Sequence, residues 1–159
     1  MRPSRALLVL LSFLAVLAVS CSKDEYGVSS VQVQPYVKSD STMGLSIYVI
    51  PELPSGKKGD VSIQMTVKSP DGNLSWSFKA TSVKFDGIQY YGSSDICMPT
   101  GTALPKGPWK GEVVFKDGSA TDIEFDVSYT DAASALARYL ESGSAEPWFD
   151  ERSNLTVLP

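Results

Sequence analysis

Four carboxylates are the side chains in this sequence whose type and spacing could do chemistry. Asp122, Glu124 and Asp126 alternate with apolar residues, and Glu112 lies in a preceding segment with the same alternation. Side chains two residues apart in a strand project from one face, about 6 to 7 Å from each other. Such a group could bind a cation or a basic partner, or supply the two carboxylates of a glycoside hydrolase.

The same residues are also typical of a solvated strand face, which is the interpretation that we adopt. Calcium takes six or more oxygens from a folded loop, and a flat strand rarely offers them. Lys110 and Lys116 lie close in sequence and balance the charge. Nothing gives two of the carboxylates the different environments that an acid and a base need. We therefore predict no metal site, no catalytic residue and no cofactor.

The chain contains no histidine among its 159 residues. This composition removes Ser-His-Asp and Cys-His catalysis, the usual zinc sites and the side chain that titrates near neutral pH. Cys97 is interpreted as a small buried apolar residue, because free cysteines are more often packed than reactive. The sequence thus predicts a protein that is not an enzyme, and a carboxylate-based hydrolase remains the enzymatic alternative.

The first 20 residues have the organisation of a secretory signal peptide. Arg2 and Arg5 precede an almost wholly apolar run from Ala6 to Val19, which is short for a membrane span. The run ends in Ala18-Val19-Ser20-Cys21, which resembles the lipobox of bacterial lipoproteins. That resemblance implies cleavage before Cys21 and acylation of Cys21, and two or three acyl chains attach a protein stably to a membrane.

The residues after the cysteine bear on location. Ser22 stands where an aspartate resembles the signal for retention in the inner membrane of enterobacteria, and Lys23-Asp24-Glu25 is similar to a surface-export signal of some Bacteroidota lipoproteins. A solvated charged tether is the alternative interpretation of these three residues. The resemblance implies a lipid-anchored protein of the bacterial envelope, in the outer membrane or on the cell surface if the host has two membranes.

The remaining 139 residues suit one domain with a real core. Removing Arg2 and Arg5 from the 14 basic residues leaves 12 against 18 acidic ones, a net charge near −6. A negative surface offers no footprint for nucleic acid, so we expect no such partner. With Cys21 acylated, Cys97 has no cysteine with which to form a disulfide, and stability must come from packing.

Alternation of apolar and polar residues predicts strands along most of the domain. Turn residues at Asp71-Gly72 predict one hairpin, and Asp86-Gly87 predicts a tight return. Near Thr81-Ser82 the apolar residues change from even-numbered to odd-numbered positions, which predicts a bulge or bend in the strand. Gly92 to Asp95 is predicted to be a polar loop. The pairs expected in the first hairpin are Val67 with Trp76, Met65 with Phe78, and Ile63 with Ala80.

The strongest strand signal lies between Leu104 and Val127. In each of the two predicted strands, from Trp109 to Phe115 and from Ile123 to Val127, the alternating apolar residues have odd numbers. The turn between the strands must then have an odd number of residues, so Lys116-Asp117-Gly118 is expected to form it, with Gly118 in the left-handed conformation. The pattern from Leu104 to Gly118 and through Phe125-Asp126-Val127 resembles the last hairpin of many bacterial immunoglobulin-like domains. The resemblance implies sandwich architecture only. The expected pairs are Val113 with Thr121, Gly111 with Ile123, and Trp109 with Phe125.

After Thr130 the spacing of the apolar residues changes from the alternation of a strand to the three- and four-residue spacing of a helix. Residues from about 131 to 142 are rich in helix formers, with Thr130 or Asp131 as N-cap, Gly143 past the end, and an irregular tail to Pro159. Ala132, Leu136, Tyr139 and Leu140 form the stripe expected to pack on the sheets or to cover an edge strand. The predicted organisation is a signal peptide (1–20), a lipidated tether (21–28) and one domain (29–159).

The fold class that we predict is all-β, an immunoglobulin-like antiparallel sandwich with a short C-terminal helix; a small barrel is the alternative. The expected function is a non-catalytic binding or accessory module for a protein or glycan. A structural subunit of an envelope assembly is a further alternative. Aromatic residues beside loops are natural anchors for a partner. The candidates are Tyr90, Tyr91, Trp148 and Phe149, for which packing in the core or the tail is the favoured alternative.

Overall fold

The computed structural model describes residues 25–56 and 61–159. The signal peptide, the lipidation site Cys21 and the tether up to residue 24 lie outside the described residues. No helix in the described part of the chain has the length and apolar character needed to cross a membrane. The elements are β1 (Gly27–Lys38), β2 (Met43–Glu52), β3 (Ile63–Lys68), β4 (Ser75–Lys79), β5 (Thr81–Phe85), β6 (Ile88–Cys97), β7 (Gly107–Phe115), β8 (Ala120–Val127), α1 (Ala132–Ser142), β9 (Trp148–Asp150) and β10 (Leu155–Leu158).

Two β-sheets pack face to face, as the all-β sandwich prediction required. One sheet, here called the large sheet, has the order β5-β6-β2-β1-β10-β9; the small sheet has the order β4-β3-β7-β8. The order β1-β2-β6-β5 opposite β3-β7-β8 matches strands A-B-E-D and C-F-G of the immunoglobulin fold, with β4 as an added edge. No strand pairing joins the sheets within residues 25–56 and 61–159, so the barrel alternative is not realised there.

Both hairpins of the small sheet have the register that the sequence predicts. Val67 pairs with Trp76 and Met65 with Phe78, and the Ala80 amide donates to the Ile63 carbonyl at 2.9 Å. All three pairs expected between β7 and β8 are present. The Phe115 amide donates to the Ser119 carbonyl, which leaves a three-residue turn between them.

The chain changes sheets at the parity break in the sequence. β4 ends at Lys79 in the small sheet, and β5 begins at Thr81 in the large sheet. Ala80 is therefore the crossing point, one residue before the predicted bend at Thr81-Ser82. The return at Asp86-Gly87 is confirmed, because Phe85 pairs with Ile88 and both turn residues have positive φ.

The prediction of a polar loop from Gly92 to Asp95 is wrong, because β6 runs through it. Leu45 pairs with Ile96 and Ile47 with Ser93, so two residues of β6 lie opposite Ser46 alone. This is a β-bulge. The Tyr36 hydroxyl donates to the carbonyl of Ser94, one of the two bulged residues, at 2.6 Å.

The prediction of an irregular C-terminal tail is also wrong. β10 pairs in parallel with β1 through Tyr36–Thr156 and Val37–Val157, and β9 pairs antiparallel with β10. Leu155 and Val157 are fully buried. The tail is therefore part of the large sheet, and its four-residue strand is too short for alternation to reveal it in sequence.

Helix α1 forms as expected from its caps. The Asp131 carboxylate accepts a hydrogen bond from the Ser134 amide, and Gly143 ends the helix in the left-handed conformation. Ala135 and Tyr139 are the residues that α1 buries. Leu140, predicted to pack on the sheets, is instead 59% exposed.

The apolar core lies between the two sheets and is centred on an aromatic stack. Trp109 is fully buried between Trp76 and Phe125, with ring centroids 5.6 and 6.2 Å away. Its indole N–H donates to the Pro105 carbonyl at 3.0 Å, which satisfies its polar group. The residues with no exposed side chain area include Leu45, Ile47, Val49, Met65, Val67, Val113, Leu155 and Val157.

The sandwich has two distinct ends. At the first, here called the N-terminal end, β1 begins beside the end of β2, since Gly27 pairs with Glu52. Tyr26 stacks on Phe115, the last residue of β7, with ring centroids 4.9 Å apart. The opposite end, here called the distal end, carries the turn at residues 39–42, the loop at residues 99–106 and helix α1. β1 begins at Gly27, two residues earlier than the predicted domain boundary.

Candidate functional site

The two aromatic pairs singled out in the sequence each lie within a strand and are therefore split between two faces. Tyr91 pairs with Val49 and is 8% exposed, so it packs in the core, and its candidacy as a partner-binding residue is wrong. Tyr90 points to the outer face and is half-buried. The loop expected after Tyr91 is a continuation of β6, and this is why Tyr91 is a core residue.

Trp148 and Phe149 behave in the same way. Trp148 pairs with Val157, is partly buried, and stacks on Tyr139 of α1 at 6.5 Å. Phe149 points outward and is 47% exposed. Trp148 therefore holds the C-terminal strands to the helix, whereas Phe149 is accessible to a partner.

The two outward aromatic residues do not form one platform. Tyr90 lies on β6 and Phe149 on β9, and the order β6-β2-β1-β10-β9 separates those strands by four steps. At about 4.8 Å per step, the strands are about 19 Å apart. A sugar ring could not contact both side chains, so the structure does not unite the predicted aromatic candidates into a single glycan-binding surface.

The acidic residues of β8 lie on the solvent face of the small sheet. Glu112 pairs with Asp122, as expected, and both are exposed beside Lys68 and Lys110. Lys110 Nζ lies 3.7 Å from Glu124 Oε1. Within residues 25–56 and 61–159 no three metal-ligating side chains are grouped to hold an ion. These carboxylates therefore lie along one exposed face of the small sheet.

A polar depression lies on the outer face of the large sheet around the β6 bulge. Its floor is Tyr36, whose hydroxyl lies 3.1 Å from the Cys97 thiol. Burial and the neighbouring thiol raise the pKa of Tyr36 well above its usual value, so its hydroxyl remains a proton donor. The Tyr36 hydroxyl thus donates to the Ser94 carbonyl and also lies in hydrogen-bond contact with the Cys97 thiol.

An open apolar groove lies at the distal end and is here called the distal groove. It has a volume of about 400 Å³ and lies between α1, the turn after β1 and the loop at residues 99–106. Leu140 stands at its border with 59% of its surface exposed. The groove is lined by Val37, Ser41, Met43, Gly101, Thr102, Ala103, Ala132, Ala133, Leu136, Ala137 and Leu140.

Several fixed contacts hold the walls of the distal groove. The Tyr129 hydroxyl donates to the Leu104 carbonyl at 2.6 Å and holds the loop wall. The turn at residues 39–42, which forms another wall, is held by the Lys38 amide, which donates to the Thr42 carbonyl at 2.8 Å. Arg138 of α1 forms an ion pair with Asp150, which is 3% exposed. The groove is thus preformed, and its small alanine side chains leave the space open.

Sequence analysis identified the helix stripe but did not identify the groove. Ala132 and Leu136 pack against the core as expected, but they also line the groove together with Met43, and Leu140 is exposed at its border. The groove could not be predicted from sequence, because residues 41–43 and 101–103 approach α1 only in the folded chain. The excess of alanine in α1 is the one sequence feature that could have indicated it.

Comparison with known proteins gives no match: no family model, no curated protein and no solved structure is detectably similar to this chain.

Proposed function

We propose that this protein is a lipid-anchored lipoprotein of the bacterial envelope whose sandwich binds a protein partner, without catalysis, through the distal groove. The anchor part of the proposal rests on the lipobox-like sequence ending in Cys21. The binding part rests on one observation, an open, preformed apolar groove at the end of the sandwich opposite to the point where the tether joins.

The chemistry of the distal groove favours a protein partner over a glycan. Its lining is alanine, leucine, valine and methionine, with Ser41 and Thr102 as its polar side chains. Apolar concave sites with a few polar groups accept apolar side chains, whereas a sugar needs several hydrogen-bonding partners. An apolar side chain of a partner would bury Leu140 and fill the space above Ala133 and Ala137.

The position of the distal groove also supports the proposal. Residues that lead from Cys21 join the sandwich at Tyr26, whose ring stacks on Phe115 at the N-terminal end. β1 then runs 12 residues to the distal end, about 35 to 40 Å at the rise of an extended strand. A domain anchored through Cys21 would hold the groove away from the membrane and open to a partner.

The anchor is tested by membrane fractionation of the full chain. Cys21→Ala should move the protein from the membrane fraction to the soluble fraction, because the acylated side chain is lost. Cys97→Ala is the matched control and should remain with the membranes. Retention of the Cys21→Ala protein on membranes would contradict the anchor.

The distal groove is tested by quantitative co-purification from crosslinked cells. Leu140→Glu and Ala137→Glu place a charge in the groove at exposed helix positions, so folding should be retained. Ala145→Glu adds the same charge outside the groove and is the control. We expect partner recovery to fall about tenfold in the two groove variants, the effect of about 1.4 kcal/mol at an interface. Equal recovery in all three variants would contradict the proposal.

A further inference from the structure

Exposed apolar side chains are concentrated at the N-terminal end of the sandwich. Among residues 25–56 and 61–159, six large hydrophobic side chains are exposed. Leu140 and Phe149 belong to α1 and β9. The other four lie on β5, on the start of β6 and just after the end of β2; they are Leu53, Val83, Phe85 and Ile88.

The β5–β6 hairpin presents its apolar side chains as one surface. Val83 pairs with Tyr90 and Phe85 with Ile88, and cross-strand partners share a face. Phe85 and Ile88 flank the two-residue turn and are 72% and 43% exposed. We call the surface formed by Val83, Phe85, Ile88 and Tyr90 the hairpin wedge.

The hairpin wedge lies at the level where the chain joins the sandwich. Tyr91 of β6 pairs with Val49 of the antiparallel strand β2. Toward the N-terminal end, Ile88 precedes Tyr91 by three residues and Glu52 follows Val49 by three residues, so Ile88 and Glu52 lie at the same level. Glu52 in turn pairs with Gly27, the first residue of β1. β1 and β5 are three strands apart, a lateral distance of about 14 Å.

The chain between the lipid site and the sandwich is short. Five residues lead from Cys21 to Tyr26, and fully extended they span at most about 17 Å. The Tyr26–Phe115 stack fixes where this segment ends. An acyl chain on Cys21 would therefore hold the N-terminal end of the sandwich at the membrane surface, with the hairpin wedge within reach of the lipid.

We propose that the hairpin wedge inserts into the interfacial region of the bilayer and orients the domain on the membrane. Phe85 and Ile88 would enter the acyl boundary, and Tyr90 supplies the amphipathic ring that is favoured at the headgroup level. The occupant is a lipid surface rather than a second protein, because the short tether brings that surface to this end. The inference rests on the proposed acylation of Cys21.

The test places a fluorescent probe on the wedge of the acylated mature protein. In a Cys97→Ala background, Phe85→Cys and, as the distal control, Asn73→Cys are labelled with an environment-sensitive dye. The proteins are reconstituted in vesicles of phosphatidylethanolamine and phosphatidylglycerol that contain lipids with a nitroxide on the acyl chain. Residue 73 lies in an exposed turn at the distal end.

We expect the probe at position 85 to be quenched about twofold and the probe at position 73 to be unaffected, as burial in the acyl boundary requires. A second measurement moves the probe to Val83→Cys and adds Phe85→Ser and Ile88→Ser, which should abolish quenching at position 83. All these positions are exposed, so folding should be retained.

The two proposals fail in different ways. If the protein does not bind the vesicles and carries no acyl chain, the anchor is wrong. If it is bound but position 85 is no more quenched than position 73, the anchor stands and the inserted wedge is overturned. A disulfide-linked dimer of the unlabelled Phe85→Cys protein, formed without quenching of the labelled one, would likewise overturn it, in favour of a second copy on the wedge.

Discussion

Tyr26 stacks on Phe115 with ring centroids 4.9 Å apart and an interplanar angle of 21°. The contact joins the residue before β1, in the large sheet, to the last residue of β7, in the small sheet. It closes the N-terminal end of the sandwich and fixes where the domain begins. Under the proposed anchor, it also sets the length of the tether.

Tyr26→Ala should lower the free energy of unfolding by about 1 to 2 kcal/mol, because an aromatic pair and its partly buried area are lost. Tyr26→Phe retains the ring and is the control. Urea denaturation of both variants measures the effect. A Tyr26→Ala protein as stable as the Phe variant would show that the stack does not hold the end of the domain.

The buried Asp150 carboxylate should be the most sensitive polar site in the C-terminal part. It accepts hydrogen bonds from the Arg152 amide at 3.2 Å and from Arg152 Nε at 3.4 Å, and it forms a second ion pair with Arg138 of α1. Arg138→Met should destabilise the fold by about 1 to 3 kcal/mol, since the buried carboxylate would keep only the more exposed Arg152 as its partner. The double variant Arg138→Met with Asp150→Leu should recover part of that loss in thermal unfolding. If the double variant is no better than Arg138→Met, uncompensated charge is not the cause.

Gly118→Val should lower the free energy of unfolding by about 1 to 2 kcal/mol, because Gly118 has φ of 87° and a β-branched residue is strained there. A Cβ at this position would meet no atom within 4 Å, so the cost comes from the backbone alone. Gly118→Asn, which tolerates the left-handed region, should cost much less. Equal melting temperatures for the two variants would argue against backbone strain.

The stability of the helix cap should depend on pH in the acid range. The Ser134 hydroxyl and amide donate to Asp131 and hold its pKa below the ordinary value of 3.8. A carboxyl with a lowered pKa in the folded state stabilises the fold above its unfolded pKa, and this contribution is lost as the pH falls through the folded pKa. Asp40 and Asp71 shift in the same direction, each through its turn hydrogen bonds.

The melting temperature of the wild type should therefore fall below about pH 4. Asp131→Asn keeps a hydrogen-bond acceptor at the cap and removes the titrating group, so its melting temperature should fall less steeply. Parallel melting curves between about pH 6 and pH 2.5, a range that brackets the titration of an aspartate, would exclude a contribution from Asp131.

The sandwich could be predicted from sequence because its hairpins carry local information. The odd parity of the apolar residues in β7 and β8 required a turn with an odd number of residues, and Gly118 supplied it. The caps of α1 were equally local, since Asp131 and Gly143 flank the helix. Each of these features is decided by residues that are close together in the chain.

The features that sequence analysis missed depend on partners far along the chain. β10 exists because Val157 fills a place beside Val37 of β1, 120 residues earlier. The β6 bulge needs the Tyr36 hydroxyl, which comes from another strand. Leu140 is exposed for the same reason, since the groove that it borders forms only on folding.

The central claim is that the distal groove receives a partner, and site-specific photocrosslinking in intact cells tests it most directly. A photoreactive phenylalanine analogue is placed at Leu140 on the border of the groove, and at Ala145 as the control. We predict a discrete adduct from position 140 that disappears when Ala137→Glu is added, and none from position 145. No adduct from position 140, or the same adduct from both positions, would contradict the account.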